Sequence, residues 1–319
     1  DIWLEYAGEK GIHGAILSYL SLKKENFYMV ENTVDGKFFV TARGWEDLSE
    51  ILKSYEELQV EIGEELIGEF LQKEEIARDF AGYYRLYEKY KSDYQIQEIL
   101  DGNVTSRQLK TCCDMGKKAS FEERFTVTEM LLEAVTERIS SFQKTDEKTE
   151  KLYGNLKLLK VFLQEKNSVE AMEQFIVSRR KALDAKICSE LLTAEEAARE
   201  EEQIRILEEY FFQLKELHIS DVAEGIEQIG ERFGNVCRLR NEKLEETKKM
   251  LEQAFSFLEE CFGEGQELLL FETGLTGDDR CSIFISQYGC PSYFKHCELL
   301  LYSKKENELR KECRDLLED

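Results

Sequence analysis

One arginine stands at the entrance of a predicted amphipathic helix, where its chemistry can be used. Arg43 follows a strand-like run at 38–41 and precedes a helical pattern that begins at Trp45. An arginine there suits a phosphate better than a lysine would, because its planar guanidinium binds two oxygens at once. The sequence therefore predicts that Arg43 binds a phosphate. The alternative is a surface arginine that only begins a helix. Trp45 is interpreted as a core anchor rather than a base-stacking platform.

A second set of residues, with metal-binding chemistry, lies near the C-terminus. Cys281, Cys290, His296 and Cys297 offer soft ligands of the kind that zinc prefers. Structural zinc sites usually draw their ligands from pairs two to four residues apart, and these residues are not spaced in that way. We therefore favour buried structural thiols and predict no metal. Whether the four side chains converge stays open, and a metal-dependent enzyme would rest on them alone.

Other chemistry-bearing residues have simpler interpretations. Cys112 and Cys113 are adjacent, so they point in different directions on a helix and indicate no shared site. Asp278 and Asp279 are interpreted as a solvated turn rather than a cation site. The chain contains no G-x-x-x-x-G-K-[ST] motif, no zinc-protease pair among its three histidines and no G-x-S-x-G elbow. A complete enzyme is therefore not expected in this chain alone.

The composition indicates a mostly helical, acidic protein. Among 319 residues there is one proline, and charged residues make up 34%, which suits helices because their interiors reject proline. The net charge of −23 argues against a nucleic-acid surface, which needs cations against phosphates. Nine cysteines, an odd number, indicate reduced thiols and a cytoplasmic location rather than a disulfide framework. No apolar run approaches the roughly 20 residues that span a bilayer.

A predicted β-hairpin and the helix after it position Arg43. Asp35 and Gly36 give the strongest short-range signal for a hairpin turn, with strand-like runs on both sides. Apolar residues then recur at helical spacing from Trp45 to Tyr55. The arginine is thus expected on a short, rigid support.

The predicted fold class is mainly α: a small helical domain with one β-hairpin, followed by a multi-helix bundle. The turn cluster at 101–103 is the predicted boundary, which gives domains at 1–101 and 102–319. Apolar stripes at three-four spacing in the second domain indicate antiparallel helices. The charged stretch 189–205 is predicted as an exposed link, and residues 262–302 as short helices across the bundle.

Several stretches of the chain resemble a known family. The run VTARGWEDLSEIL, with NFYMVENTVDGKFF before it, resembles the lid region of MoxR-type AAA+ ATPases, particularly the firmicute members. The opening DIWLEYAGEKGIHGAILSYL is similar to the start of that lid. GEGQELLLFETGLT and FISQYGCPSYFKHCELL are similar to the family's C-terminal segment. The resemblance covers most of the chain and is weakest between residues 110 and 260.

This resemblance implies a role for Arg43. In AAA+ proteins the lid carries an arginine called sensor 2, which contacts the γ-phosphate of ATP, and its sequence context matches Ala42-Arg43-Gly44. The Walker A lysine, the Walker B acid, sensor 1 and the arginine finger belong to an upstream core. The resemblance therefore implies ATP and magnesium for a longer parent protein and not for this piece. The start at Asp1 without a methionine leads to the same expectation of a longer protein.

The resemblance also implies partners and a mode of action. MoxR-type ATPases are described as hexameric, chaperone-like machines, commonly beside proteins with a von Willebrand A-like domain. The expected partners are the upstream AAA+ core and such a domain, with no nucleic acid and no membrane. The expected function is to couple ATP hydrolysis in the core to remodelling of a partner. The alternative is a nucleotide-independent acidic helical scaffold for protein–protein interaction.

Overall fold

The structure is a computed structural model that describes residue 3, residues 6–7, 10–33, 36–163 and 167–301. Within these ranges the chain is mainly α-helical, with one two-stranded antiparallel sheet, which confirms the predicted fold class. A short 3₁₀ turn at Lys24–Asn26 precedes the strands β1 (Met29–Thr33) and β2 (Gly36–Val40). The helices are α1 (Gly14–Leu22), α2 (Ala42–Glu57), α3 (Glu64–Phe70), α4 (Glu74–Tyr94), α5 (Ile96–Asp101), α6 (Ser106–Gly116), α7 (Phe121–Phe162), α8 (Ser168–Cys188), α9 (Ala194–Glu216), α10 (Val222–Phe262), α11 (Gln266–Gly277), α12 (Asp279–Tyr288) and α13 (Pro291–Leu301).

The chain divides into two compact units. Unit 1 comprises residues 1–137 and 249–319, and unit 2 comprises residues 138–248. Both α7 and α10 contribute residues to each unit. This division is not the one at residues 101 and 102 that the turn cluster suggests, and the assignment of a lid and a bundle as domains stays a prediction.

The hairpin is present, with a register that places its turn one residue earlier than predicted. Met29 pairs with Val40, and Thr33 pairs with Gly36 at the closed end. Gly36 therefore belongs to β2, and its predicted place at the centre of the turn is wrong. Asp35, the other predicted turn residue, lies outside the described residues. Sequence reasoning can misplace a turn by one residue, because the position of the turn depends on which strand residues pair.

Helix α2 begins with a side-chain cap and a close approach to a neighbouring backbone. Thr41 is extended, and its Oγ1 accepts a hydrogen bond from the Gly44 N–H at 3.2 Å. A Cβ on Gly44 would lie 2.7 Å from the carbonyl oxygen of Phe70, so only glycine lets the end of α3 approach this turn. The cap satisfies one of the unpaired N–H groups at the helix start.

The apolar face of α2 forms the centre of the unit 1 core. Trp45, Leu48 and Leu52 are fully buried. The Trp45 ring lies 5.8 Å from Tyr19 of α1 and 5.2 Å from Phe80 of α4, centroid to centroid. These aromatic pairs add to the burial energy of the rings, so three helices share one apolar contact region.

Unit 2 has its own core, between α7, α8, α9 and α10. Buried side chains from these helices include Leu159, Phe175, Leu207 and Leu214. The predicted exposed link at 189–205 is wrong from Ala194 onward, because α9 starts there behind a capping box made by Thr193 and Glu196. Gln203 and Ile204 of that stretch are buried. The many charged residues on the exposed face of α9 obscured the apolar stripe on its buried face.

The C-terminal part of unit 1 confirms the prediction of short helices. Helices α11, α12 and α13 follow one another with brief turns between them. Phe271 and Phe284 are fully buried, and the Phe271 ring makes an edge contact with Phe255 of α10 at 5.2 Å. The glycine-rich, aromatic composition of this stretch therefore reflects tight turns between packed helices.

Replacing Trp45 with alanine tests the central role of the α2 face. We expect Trp45→Ala to lower the free energy of unfolding by about 3–5 kcal/mol, because the truncation removes a fully buried ring and leaves a cavity. Urea unfolding followed by circular dichroism measures the change. Leu58→Ala is the matched control, because Leu58 caps the same helix and is 71% exposed. Equal losses in the two variants would contradict the assignment.

Candidate functional site

Arg43 occupies the first turn of α2 with its guanidinium in solvent. Its side chain is 78% exposed. The guanidinium holds the Asp47 carboxylate with two contacts, from Nη2 to Oδ1 at 2.8 Å and from Nε to Oδ2 at 3.1 Å. Glu46 lies further away, at 3.9 Å. The planar fork is thus occupied by two carboxylate oxygens in the manner in which it can hold two phosphate oxygens.

The pair between Arg43 and Asp47 is weak enough to exchange. Exposed ion pairs one helical turn apart contribute about 0.3–0.5 kcal/mol, since water screens them. An incoming phosphate therefore has little to displace at Arg43.

Trp45 anchors the start of α2 behind Arg43. Its ring is fully buried, and Nε1–H donates to the carbonyl oxygen of Phe27 at 3.1 Å, which joins the helix to the approach of β1. The interpretation of Trp45 as a core anchor is confirmed. The arginine accordingly projects from a support that is held by both packing and a hydrogen bond.

The far end of α2 is held by a partly buried polar network that sequence reasoning missed. Glu56 Oε1 lies 2.8 Å from His13 Nε2 and accepts from the Tyr84 hydroxyl at 2.9 Å, while Oε2 lies 3.2 Å from Lys91 Nζ. His13 Nδ1 accepts from the Ala15 N–H at 3.1 Å, so the proton on Nε2 points at Glu56. We call His13, Glu56, Tyr84 and Lys91 the His13 network.

The charge balance of the His13 network favours an ionised carboxylate. Burial alone raises the pKa of Glu56, but the hydrogen bond from His13 and the charge of Lys91 lower that pKa below its ordinary value. The Tyr84 hydroxyl acts in the same direction. The Glu56 carboxylate therefore stays ionised at neutral pH and joins the C-terminal end of α2 to α1 and α4.

A pair of carboxyl groups, Glu129 and Glu133, lies on α7 beside the His13 network. The Tyr87 hydroxyl donates to Glu133 Oε2 at 3.1 Å, and a Cβ on Gly14 would lie 1.6 Å from the same oxygen. Glycine at position 14 leaves room for this carboxylate at the start of α1, and a larger residue would displace the end of the Glu133 side chain. Burial, with the negative charge of Glu133, raises the pKa of Glu129 to about 7. Burial raises the pKa of Glu133 as well, against the opposing effects of His13 and Tyr87.

No spacing rule connects the members of these networks. His13 and Glu56 are separated by 43 residues, and Tyr87 and Glu133 by 46. The sequence signals that could have drawn attention are a histidine before a glycine at a helix start and a helix rich in tyrosine. Neither signal says which carboxylates these groups meet.

The four residues with zinc-binding chemistry have separate partners, and that of Cys297 is the Tyr293 hydroxyl. Cys281 contacts Thr136 Oγ1 at 3.5 Å, Cys290 contacts Glu252 Oε1 at 3.2 Å, and His296 hydrogen-bonds Glu259. Burial raises the pKa of Cys281 and of Cys290 to about 12, which keeps both thiols protonated. Within residues 10–33, 36–163 and 167–301, no three His, Cys, Asp or Glu side chains group as a metal site.

Asp278 and the adjacent cysteines Cys112 and Cys113 each have partners within the fold. Asp278 caps α12, accepts from the backbone N–H groups of Arg280 and Cys281, and pairs with the Arg280 guanidinium at 2.7 Å. Cys112 points at the carbonyl oxygens of Asp93 and Tyr94, both at 3.8 Å, whereas Cys113 faces Cys261. The vicinal thiols point in different directions, as expected, but the partner of Cys113 was not foreseen.

Unit 2 carries an open depression of about 600 Å³ on its surface. Its rim includes Lys151, Leu158 and Arg179, and its lining includes the buried Gln203. Gln203 Oε1 has no hydrogen-bond partner, although Nε2 donates to the Lys148 carbonyl oxygen at 3.3 Å. Leu158 and Val161 are 52% and 63% exposed beside it. This surface offers apolar contact area rather than a set of converging catalytic groups.

Comparisons of the chain with protein-family models, with curated proteins and with solved structures find no match. The resemblance to a family stays a prediction that rests on the sequence alone. None of the described helices has an apolar stretch long enough to cross a bilayer.

The raised pKa of Glu129 predicts a pH-dependent stability. A carboxyl group with a pKa of about 7 in the folded protein and an ordinary value of 4.5 favours folding fully below pH 4.5. That contribution is lost as the pH rises through about 7. We expect Glu129→Gln to raise the free energy of unfolding at pH 8 by at most about 3 kcal/mol, and to have little effect on it at pH 5.

Urea unfolding at the two pH values measures this change. Glu122→Gln is the matched control, because Glu122 lies on the same helix with an exposed side chain. A gain in stability that is the same at pH 5 and pH 8 would contradict the charge argument and indicate a packing effect.

Proposed function

We propose that this chain is the lid and helical domain of a MoxR-like AAA+ ATPase, with Arg43 as its sensor 2. Two observations support the proposal. The sequence around Arg43 resembles the family's lid, and the guanidinium is exposed at the start of a helix whose both ends are anchored. The second observation carries the most weight, because a sensor must be accessible to the nucleotide and rigidly connected to its own domain.

The residues around Arg43 fit a phosphate group. The guanidinium holds two oxygens of Asp47, and the same two donors could hold two oxygens of a γ-phosphate once Asp47 is displaced. ATP with its magnesium ion would be bound by the upstream core and would supply the hydrolysable phosphoryl group. Residues 1–102 carry 22 acidic and 11 basic side chains, and repulsion from this surface favours a nucleotide whose charge is partly neutralised by magnesium.

The proposed coupling depends on a difference between two states of Arg43. In one state the guanidinium binds the γ-phosphate, and in the other it returns to Asp47. A ligand shifts a conformational equilibrium only through such a differential contact. Because α2 is fixed by Trp45 at one end and by Glu56 at the other, a pull on Arg43 moves the packed helices rather than the side chain alone. The remodelled partner is proposed to be a protein with a von Willebrand A-like domain.

Substituting Arg43 in the full-length protein tests the sensor role. We expect Arg43→Ala to lower the rate of ATP hydrolysis at least about tenfold, the effect of losing one charge-assisted contact with a phosphate. Arg43→Lys should recover only part of the rate, because an ammonium lacks the two-pronged geometry. Arg85→Ala, an exposed arginine on α4, is the control. Unchanged turnover in Arg43→Ala would overturn the role.

A nucleotide-independent scaffold is the second candidate function. It is favoured by the exposed apolar side chains on α7 within unit 2, where Tyr153, Leu158 and Val161 are 54%, 52% and 63% exposed. Exposed apolar groups at this density are typical of a contact surface for another protein.

Capture of a partner by the full chain separates the two functions. For the scaffold we expect capture that is independent of ATP, is lost in Leu158→Glu and survives in Arg43→Ala. Lys157→Glu is the matched control for added charge at a neighbouring exposed position. Capture that requires ATP and fails in Arg43→Ala would instead support the lid. A reading frame upstream of Asp1 with Walker A and Walker B motifs would support the lid as well.

A further inference from the structure

Two buried thiols from distant parts of the sequence touch each other within unit 1. Cys113 on α6 and Cys261 on α10 are separated by 148 residues, and their Sγ atoms lie 2.6 Å apart. Both are free cysteines, 6% and 2% exposed. We propose that this pair is a site of oxidative modification, which hydrogen peroxide converts into a disulfide.

The geometry is nearly that of the product. A disulfide bond is about 2.05 Å long, so the two sulfur atoms have about half an ångström left to close. Helix α6 ends at Gly116, which lies against the same part of α10. A Cβ on Gly116 would lie 2.8 Å from Phe262 Cε1 and 3.6 Å from Cys261 Cβ. A glycine at this position therefore leaves room for these side chains beside the thiol pair.

The other thiols near this site are directed elsewhere. Cys112 points at the backbone carbonyl oxygens of Asp93 and Tyr94. Cys281 and Cys290 contact Thr136 and Glu252. Among the described cysteines, Cys113 and Cys261 are the pair placed for a cross-link, which makes the expected product specific.

The reaction balances with one molecule of peroxide. The Cys113 thiolate attacks one peroxide oxygen, the O–O bond breaks, and the product is a sulfenic acid with release of water. Cys261 then attacks the Cys113 sulfur, the S–S bond forms, and the sulfenic oxygen leaves as a second water. The two sulfur atoms lose two electrons in total and peroxide gains them; both thiol protons end in water.

The burial of the two thiols determines which oxidant can reach them and which thiol reacts first. Peroxide is small enough to approach a largely buried thiol, whereas a bulky disulfide such as oxidised glutathione is not. Cys113 is the more exposed of the two, and burial with the proximity of Cys113 raises the pKa of Cys261. Cys113 is therefore the first nucleophile and Cys261 the resolving thiol. Capture by an adjacent thiol prevents further oxidation to the sulfinic acid.

The cross-link would enclose a large part of the chain. The covalent loop from Cys113 to Cys261 contains all of unit 2, residues 138–248. Local opening of unit 2 would then leave α6 and α10 tied together at this point. The modification thus restrains unit 1 without touching Arg43, and it is independent of the proposed function.

Mass spectrometry of the unsubstituted full chain tests the proposal. The protein is treated with hydrogen peroxide, denatured, alkylated and digested without reductant. We expect a peptide that links Cys113 to Cys261, with the intact mass lower by two hydrogens and restored by dithiothreitol. Cys188, which is exposed, serves as the internal control and should not appear in that linked peptide.

Two results would overturn the proposal. One is full alkylation of both Cys113 and Cys261 after peroxide treatment at a dose that oxidises Cys188. The other is a disulfide between the adjacent residues Cys112 and Cys113, within a single peptide. Gel mobility without reductant gives a second readout, because a closed loop of this size migrates faster than the open chain. Cys261→Ser should abolish the shift, and Cys112→Ser should leave it unchanged.

Discussion

Burial of one helix face is the constraint on which the rest of unit 1 depends. The side chains of Trp45, Leu48 and Leu52 on α2 are fully buried, against Tyr19 of α1 and Phe80 of α4. A buried tryptophan removes about 150–250 Å² from water, which corresponds to about 4–6 kcal/mol. That energy fixes the rotation of α2 about its axis. Because the apolar face must point inward, Arg43 is directed to solvent.

The carboxyl groups around that core differ in how far their neighbours offset the cost of burying a charge. The Glu56 carboxylate receives hydrogen bonds from His13 and Tyr84 and the charge of Lys91, so it stays ionised while partly buried. Glu129 has the negative charge of Glu133 beside it instead, and its pKa rises. The difference shows that burial alone does not decide the protonation state of a carboxyl group; its neighbours do. The compensated carboxylate is the one that ties α2 in place.

The chemistry of the chain lies in contacts between residues far apart in sequence and in one exposed arginine. Near the C-terminus, Cys281 contacts Thr136, Cys290 contacts Glu252 and His296 contacts Glu259, so these side chains do not form one site. Cys113 and Cys261 are used as a pair. Arg43 is exposed to solvent and lies on a helix that is connected to a folded core, and the proposed coupling function rests on that combination.

The sequence by itself determined the local elements and the face that each helix buries. Helical periodicity, scarce proline and the strand-like runs predict the mainly α fold and the hairpin, and Trp45 falls on the apolar stripe. These properties are local, because they depend on residues within a few positions of one another. The same argument failed at 189–205, where many exposed charges masked the buried stripe of α9.

Only the tertiary structure decided which side chains meet. His13 of the α1 start reaches Glu56 of α2 across 43 residues, and Cys113 of α6 reaches Cys261 of α10 across 148 residues, where these helices cross. Nothing in the spacing of these residues encodes the crossing. Contacts across helices depend on the depth and register of packing, which many distant residues set together, whereas secondary structure and amphipathic faces depend on neighbours along the chain.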